Sequence, residues 1–219
     1  AISGGFPIPV ICPSGFEDSW ELTNAAMHTA IKLRTPVILL TSKEMVMTNK
    51  SFDLSTLKPL EPIFKSYDEN EIVEPFLSYR SGASMVPPYV PVGNDKYQVR
   101  FNASTHDGEG LIKKANPESL ANTVRLRDKI EKRLDEYTFF DFDEETGSKD
   151  LIVSYGISAE ATRDAVMIAR KNGKKVSLLI VHTLLPVSEK IYEIMERFSR
   201  IHIVEENLSG VYKEILFGK

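Results

Sequence analysis

The chain has 219 residues, of which 42% are hydrophobic and 26% are charged, so its composition is that of an ordinary globular protein. It carries 27 basic and 31 acidic side chains, and the net charge of −4 does not favour a nucleic-acid partner, which usually requires a strongly basic face. No apolar run approaches the roughly 20 residues that span a bilayer, so we expect no membrane segment. The single cysteine, Cys12, cannot form an internal disulfide, and this cysteine usage favours a cytoplasmic protein.

A strand, a helix and a second strand are predicted in succession at the start of the chain. Residues 10–12 form a short apolar run that favours a strand, and Ser14 and Glu17 have the spacing of a helix capping box. Apolar residues then recur at helical spacing up to Pro36, which disfavours helix in the residue before it. Residues 37–40 are apolar on both faces, which is typical of a parallel strand buried under helices.

This β-α-β unit is too small for a core of its own, because domains below about 40 residues usually need disulfides, metals or a partner. We therefore predict that residues 1–50 are the C-terminal part of an incomplete α/β domain. Its remainder is either missing from this sequence or supplied by another subunit.

Residues 51–149 are predicted to form an extended connecting segment that lies on a surface, because prolines interrupt it repeatedly and its aromatic residues are too many for disorder. Within it, residues 97–101 alternate as a strand does. A long charged helix is predicted from Pro117, with Asn116 as its N-cap, to about Tyr137. The acidic run that follows this helix is expected to be a solvated connection.

Residues 150–219 alternate strands with helices, which predicts a parallel sheet with right-handed crossovers. Strands are expected at residues 151–153, 176–181 and 201–204, and helices at residues 159–171, 188–198 and 212–216. Ligands of such sheets bind beyond the carboxyl ends of the strands. There His182 and Glu205 could form an acid/base pair, but a local hydrogen bond of His182, a helix cap at Ser158 and solvated acids are the favoured interpretation.

A second candidate site is the loop that contains Thr105, His106, Asp107 and Glu109. Histidine, aspartate and glutamate side chains close together can bind a divalent metal or act as acid and base. They can equally form a polar loop around an Asp-Gly turn, and we favour this second interpretation over a metal site.

Four stretches of the chain stand in a characteristic order. They are residues 17–23 (EDSWELT) with 34–40 (RTPVILL), 86–93 (VPPYVPVG), 105–110 (THDGEG), and 183–186 (TLLP) with 204–208 (VEENL). The ordered set resembles the α subunit of 2-oxoacid:ferredoxin oxidoreductases, particularly the 2-oxoglutarate-type branch. In that resemblance the stretches correspond to the end of a pyrimidine-binding domain, a Pro-rich crossing segment, the loop after it, and a transketolase-C-terminal-like domain.

The resemblance implies an enzyme that decarboxylates a 2-oxoacid on thiamine diphosphate with magnesium, forms an acyl-CoA and passes electrons through iron–sulfur clusters to ferredoxin. It implies a β subunit as partner, and γ or δ subunits where the enzyme has them. The family's glutamate toward the pyrimidine ring and its Tyr-Pro-Ile-Thr-Pro substrate segment have no counterpart here. No catalytic residue or metal ligand is therefore assigned to this chain, and the isolated chain is expected to be inactive. The loop at residues 105–109 is predicted to lie near the site or at an interface.

Two alternatives remain open at the level of the sequence. One is a transketolase-like or 2-oxoacid dehydrogenase β-type subunit, against which the long Pro-rich segment and the THDG sequence argue. The other is a non-catalytic assembly module that only binds partner subunits, which the missing thiamine glutamate favours for this chain taken alone.

Overall fold

The computed structural model describes residues 6–51 and 53–218. In chain order the elements are β1 (Val10–Ile11), α1 (Phe16–Leu33), β2 (Ile38–Leu39), α2 (Lys43–Met47), α3 (Pro117–Glu131), β3 (Phe140–Asp143), β4 (Asp150–Ser154), α4 (Ser158–Lys171), β5 (Ser177–Val181), β6 (Thr183–Leu185), α5 (Glu189–Met195), β7 (Arg200–Val204) and α6 (Val211–Phe217). Short 3-10 helices cover Leu54–Thr56, Glu69–Glu71 and Leu134–Glu136. In the described part of the chain, no helix is long and apolar enough to cross a membrane.

The chain divides into two compact units. Unit 1 contains residues 6–8, 28–36 and 62–133, and unit 2 contains residues 9–27, 37–51, 53–61 and 134–218. Helix α1 contributes to both units, because its last turns belong to unit 1 and its first turns to unit 2.

Unit 2 contains a four-stranded sheet with the strand order β3-β5-β4-β7. Strand β4 pairs in parallel with β5 and β7, and β3 joins the edge of the sheet antiparallel to β5. Strand β5 is buried along its whole length, as expected for an inner strand. Apolar residues of this sheet, including Leu151 and Leu179, pack with α5 and α6 into the main core. The parallel sheet predicted for residues 150–219 is confirmed.

A smaller three-stranded sheet of unit 2 has the order β2-β1-β6. Strand β1 pairs in parallel with β2 and antiparallel with β6. The parallel pairing expected from the β-α-β pattern is confirmed, but the predicted burial of residues 37–40 is wrong for this chain. Ile38 is 45% exposed and Leu39 is 38% exposed, because β2 forms the edge of the sheet.

The prediction of a strand at residues 97–101 in unit 1 is wrong. This stretch is irregular, and side chains satisfy its backbone in place of a neighbouring strand. Asn94 accepts the N–H groups of Lys96 and Tyr97 at 2.9 Å, and the Ser78 hydroxyl accepts the N–H of Arg100 at 2.9 Å. The nearby prolines supply no N–H donors for a ladder, which explains why alternation alone failed here.

Helix ends follow the predictions in part. Asn116 caps α3 as expected, but α3 ends at Glu131, and a 3-10 turn covers the rest of the predicted length. The capping box predicted for α1 names the wrong carboxylate. Asp18, and not Glu17, accepts the N–H groups of Ser14 and Gly15, each at 2.8 Å. The expected cap at Ser158 is also absent among the contacts of α4.

The first half of the acidic run after α3 lies in strand β3 instead of a connection, whereas Glu144 and Glu145 follow the strand. In β3 the aspartates Asp141 and Asp143 are exposed, and they alternate with the half-buried Phe140 and Phe142, which pack against the main core. The alternation places phenylalanine toward the core and aspartate toward water, as a half-buried strand requires.

Candidate functional site

The predicted site loop of residues 105–109 belongs to unit 1, and its own carboxylate holds it in shape. His106 and Asp107 are buried, at 6% and 7% exposure, whereas Thr105 and Glu109 are exposed. Asp107 Oδ1 accepts the N–H of Glu109 at 3.1 Å and that of Leu111 at 2.9 Å. The aspartate therefore closes a tight turn on its own backbone.

The His106 ring is held by a stacked tyrosine and by contacts to its ring nitrogens. Its ring stacks on Tyr79 with 3.8 Å between the ring centroids. Its Nδ1 lies 2.8 Å from the carbonyl oxygen of Asp107, and because a carbonyl only accepts, this contact fits an Nδ1–H that donates. The Asn122 amide nitrogen lies 3.1 Å from Nδ1 and 3.3 Å from Nε2, and since Nδ1 donates in this tautomer, the amide donates to Nε2. The ring is thus fixed between neighbours.

The loop connects through Asn122 to a set of cations on α3. Asn122 Oδ1 accepts from Nε of Arg125 at 2.9 Å and from Nη2 at 2.7 Å. Arg125 Nη1 in turn donates to the carbonyl oxygen of Met85 at 2.8 Å. A continuous polar chain therefore runs from His106 to the start of the Pro-rich segment.

Two cations contact that Pro-rich segment and a third contacts the backbone of one of them, and we call Arg34, Arg125 and Lys129 the basic cluster. Arg34 Nη1 donates to the carbonyl oxygens of Pro87 and Pro88 at 3.1 and 3.0 Å. Lys129 Nζ donates to the carbonyl oxygen of Arg34 at 3.3 Å. The sequence signal was the four-residue spacing of Arg125 and Lys129, which places both on one helix face, but spacing alone did not indicate what they contact.

Burial lowers the pKa of each member of the basic cluster, and the neighbouring cations lower the pKa of Arg125 and Lys129 further. For Lys129, which is 3% exposed, burial followed by the charges of Arg125 and Arg34 lowers the pKa to about 8. Burial likewise lowers the pKa of Arg34 and of Arg125. Three positively charged groups are thus packed close together in a partly buried place, which destabilises their protonated forms.

In unit 2 a cavity of about 390 Å³ lies where several strands end. Its lining includes Cys12 after β1, Leu40 after β2, Tyr155 after β4 and Asn207 after β7. This is the edge at which open α/β sheets bind ligands. The lining is mostly apolar, and Cys12 is buried, which raises the pKa of its thiol to about 12 and makes it a poor nucleophile.

His182 and Glu205 do not pair with each other in the way that an acid/base pair would require. The His182 ring lies 3.3 Å from Asp141 Oδ2 and 3.3 Å from the carbonyl oxygen of Cys12. Glu205 accepts the N–H of Tyr212 at 2.9 Å. Burial raises the pKa of Glu205, but this hydrogen bond and others from its neighbours outweigh burial and lower it overall. The favoured interpretation is also wrong in its partners: the hydrogen bonds of His182 join distant stretches of the chain, and Glu205 is half-buried and bound to its neighbours instead of facing water.

No protein-family model matches the chain. The chain is 25% identical over 214 residues to 2-oxoglutarate synthase subunit KorA of Methanothermobacter thermautotrophicus. The aligned region covers 97% of this chain and 56% of the relative. The chain is 26% identical over 222 residues to 2-oxoglutarate oxidoreductase subunit KorA of Mycobacterium tuberculosis, which covers 99% of this chain and 33% of the relative.

The fold matches a chain of 2-oxoglutarate:ferredoxin oxidoreductase from Magnetococcus marinus, solved with 2-oxoglutarate, coenzyme A and succinyl-CoA bound. The TM-score is 0.81 at 18% identity, over 96% of this chain and 37% of that chain. These matches support the 2-oxoacid:ferredoxin oxidoreductase family. This chain spans about half the length of the first curated oxidoreductase subunits that it matches.

Proposed function

We propose that this chain is part of the α subunit of a cytoplasmic 2-oxoacid:ferredoxin oxidoreductase that acts on 2-oxoglutarate or a similar 2-oxoacid. In the proposed reaction the bond between the carboxylate and the keto carbon breaks and CO₂ leaves. The acyl group passes to the thiol of coenzyme A, and the released electron pair passes to ferredoxin. Partner subunits, among them the β subunit, are proposed to supply the other groups that the reaction needs.

The observation that carries the proposal is the ordered likeness of almost the whole chain to named 2-oxoglutarate oxidoreductase subunits. The agreement in fold with an oxidoreductase chain supports it. The four sequence stretches that suggested the family fall in both units of the structure, so the likeness does not depend on a single α/β domain.

The described residues offer little that could hold the cofactors of this reaction. In residues 6–51 and 53–218 no group of three histidine, cysteine, aspartate or glutamate residues could hold a metal ion. A buried lone cysteine, Cys12, cannot hold an iron–sulfur cluster. We therefore propose that thiamine diphosphate, magnesium, the clusters and coenzyme A lie largely on other parts of the enzyme, and that the isolated chain is inactive.

The exposed edge of the small sheet supports an organisation in which residues 1–50 complete a larger domain. Strand β2 is apolar and offers free edge hydrogen bonds, which proteins rarely leave open. We propose that further strands of a pyrimidine-binding domain pair with it, that residues 51–149 connect, and that residues 150–219 form the transketolase-C-terminal-like domain. Residues 105–109 are proposed to lie near the site or at a subunit interface.

The test is an assay of the complete enzyme purified with the parent polypeptide of this chain. We expect reduction of ferredoxin or of methyl viologen that requires both 2-oxoglutarate and coenzyme A. Replacing 2-oxoglutarate with other 2-oxoacids then defines the substrate. Intact mass of the native polypeptide shows how much of the relatives' length accompanies this chain.

Two outcomes would contradict the proposal. Acylation of a lipoyl domain without viologen reduction would indicate a 2-oxoacid dehydrogenase β-type subunit. Unchanged turnover when the partner subunits are reconstituted without this chain would indicate an assembly module, because a catalytic subunit cannot be omitted without loss of activity.

A further inference from the structure

The basic cluster of unit 1 concentrates positive charge that the described residues do not neutralise. None of the ion pairs that residues 6–51 and 53–218 form includes Arg34, Arg125 or Lys129. The neighbouring carboxylate of Asp128 is engaged by Arg127 at 2.8 Å. The partners of the cluster are neutral carbonyl and amide oxygens. Buried charges are normally paired, so one buried and two half-buried cations without a carboxylate partner favour an anion from outside.

The cluster is a built arrangement and not a scatter of surface side chains. Arg34 and Arg125 approach the same short stretch, residues 85–88, one from the end of α1 and the other from α3. Lys129 lies one helical turn after Arg125 and bonds to the backbone of Arg34. Each cation is therefore fixed by backbone contacts before any ligand arrives, and a ligand need not order it.

We propose that the basic cluster binds a phosphate group of a small molecule. Arg34 uses only Nη1 in its hydrogen bonds, and a guanidinium has five N–H donors, so donors on Nε and Nη2 remain. Arg34 and Arg125 are half-buried and reach the surface, whereas Lys129 lies beneath them. The ligand approaches from the guanidinium side, with the ammonium group as a charge behind it.

Phosphate fits this set better than a single carboxylate does. The three cations carry up to three positive charges, and a phosphate monoester brings between about 1.5 and 2 negative charges, whereas a carboxylate brings one. The planar forks of two arginines also match phosphate oxygens in bidentate geometry. The proposal rests on these contacts and not on the proposed enzyme family, so either can fail without the other.

The test uses the complete enzyme and inorganic phosphate as the probe, with ionic strength held constant by chloride. Hydrogen–deuterium exchange is followed in residues 85–89 and 125–133. We expect phosphate to slow exchange in both stretches with a saturable dependence on concentration. In Arg125→Gln and Lys129→Met the half-saturating concentration should rise about tenfold or more, because a charge-assisted contact is lost.

The matched control is Arg127→Gln, which removes an exposed cation of α3 that pairs with Asp128. Its phosphate response should stay within about twofold of that of the parent protein. Lys129 makes no bond to the Pro-rich segment, so Lys129→Met keeps the contacts to residues 85–88 and loses only its charge and its bond to the Arg34 carbonyl. It serves as the second variant if Arg125→Gln loosens residues 85–88 before phosphate is added. An absent or unsaturable response, or an equal loss in Arg127→Gln, overturns the proposal. Residues 85–89 protected from exchange without any phosphate response would point to a protein carboxylate as the occupant, and would overturn it too.

Discussion

The two units of this chain hold their backbones in place by different bonds. Unit 2 uses two sheets, whose strands satisfy one another, and packs helices on buried apolar clusters. In the described part of unit 1, β-pairing is limited to a single bridge between His106 and Ile112. Side chains there bind the carbonyls and N–H groups of loops, as Arg34 and Tyr79 do. A Pro-rich segment has few N–H donors, so its carbonyls depend on such side chains.

The two units should therefore be sensitive to different kinds of substitution. A sheet and its core spread stability over many apolar residues, whereas loops held by single polar contacts depend on particular side chains. Unit 2 should therefore respond most to lost volume, and unit 1 to lost donors and altered charge.

The largest effect is expected in the core of unit 2. Leu179 lies fully buried in β5, and Leu179→Ala should lower the free energy of unfolding by about 2–5 kcal/mol, because a cavity remains. Denaturant unfolding measures this. Leu208, which is fully exposed, is the control, and Leu208→Ala should change the free energy by no more than about 0.5 kcal/mol. Equal costs for the two variants would remove the basis of the comparison.

In unit 1, we expect the charge of Lys129 to have the largest effect on the free energy of unfolding. Its pKa is about 8 in the folded chain and 10.5 ordinarily, so between these pH values the unfolded chain binds more protons, and stability rises with pH. Lys129→Met should abolish this slope and raise the free energy of unfolding at pH 7 by about 3 kcal/mol at most. Unfolding measured from pH 7 to pH 11 provides the test, in phosphate-free buffer.

The control for that titration is Lys132→Met, because Lys132 is exposed on the same helix and pairs with Asp128. It should leave the slope between pH 8 and pH 10.5 in place. A slope that survives in Lys129→Met would show that the burial of this lysine does not limit unit 1.

A smaller effect is expected at a single hydroxyl of unit 1. The Tyr79 hydroxyl accepts the N–H of Asn102 at 2.8 Å, and Tyr79→Phe leaves that donor unsatisfied at a cost of about 1–2 kcal/mol. Faster amide exchange at Asn102 is the local readout. Tyr67→Phe serves as the control, since the Tyr67 hydroxyl bonds to the exposed Glu69 at 3.3 Å and its loss should be nearly neutral. Unchanged exchange at Asn102 would show that the hydroxyl does not hold this loop.

The smallest effect belongs to a surface charge of unit 2. The hydrogen bond from His182 lowers the pKa of Asp141 to about 2; partial burial opposes this and Arg163 adds to it. The stabilisation is therefore present above pH 3.8 and is lost as the pH falls toward 2. Because Asp141 is half exposed, Asp141→Asn should cost less than about 1 kcal/mol at pH 7 and flatten the acid limb of the stability curve. Asp95→Asn, at an exposed loop position, should leave that limb intact, and an identical change in both variants would contradict the assignment.

Local patterns predicted the elements whose causes are local. The periodicity of α1 and α4 and the Asn116-Pro117 start of α3 depend on neighbours within a few residues. Strand β6 was not predicted, because its partner β1 lies far away in the sequence. The sequence of β3 alternates phenylalanine and aspartate, as a half-buried strand does. Its acidic composition led us to predict a solvated connection instead.

The candidate site also combines local contacts, which the sequence can predict, with contacts between distant stretches, which it cannot. The turn made by Asp107 was predictable from the Asp-Gly pair, because the contacts lie within four residues. The basic cluster joins Arg34, residues 85–88 and α3, three separate stretches that only the folded chain brings together. Sequence spacing gives one face of a helix but not the partner across from it.

The exposed edge of the small sheet also bears on how the protein behaves outside its complex. Residues 37–41 are aliphatic apart from one threonine and carry no charge. They include β2, which lies at the edge of the small sheet. Such an edge is a template for pairing with other chains. Produced without whatever covers β2, the protein should therefore aggregate edge to edge, and correct assembly would also serve to keep it in solution.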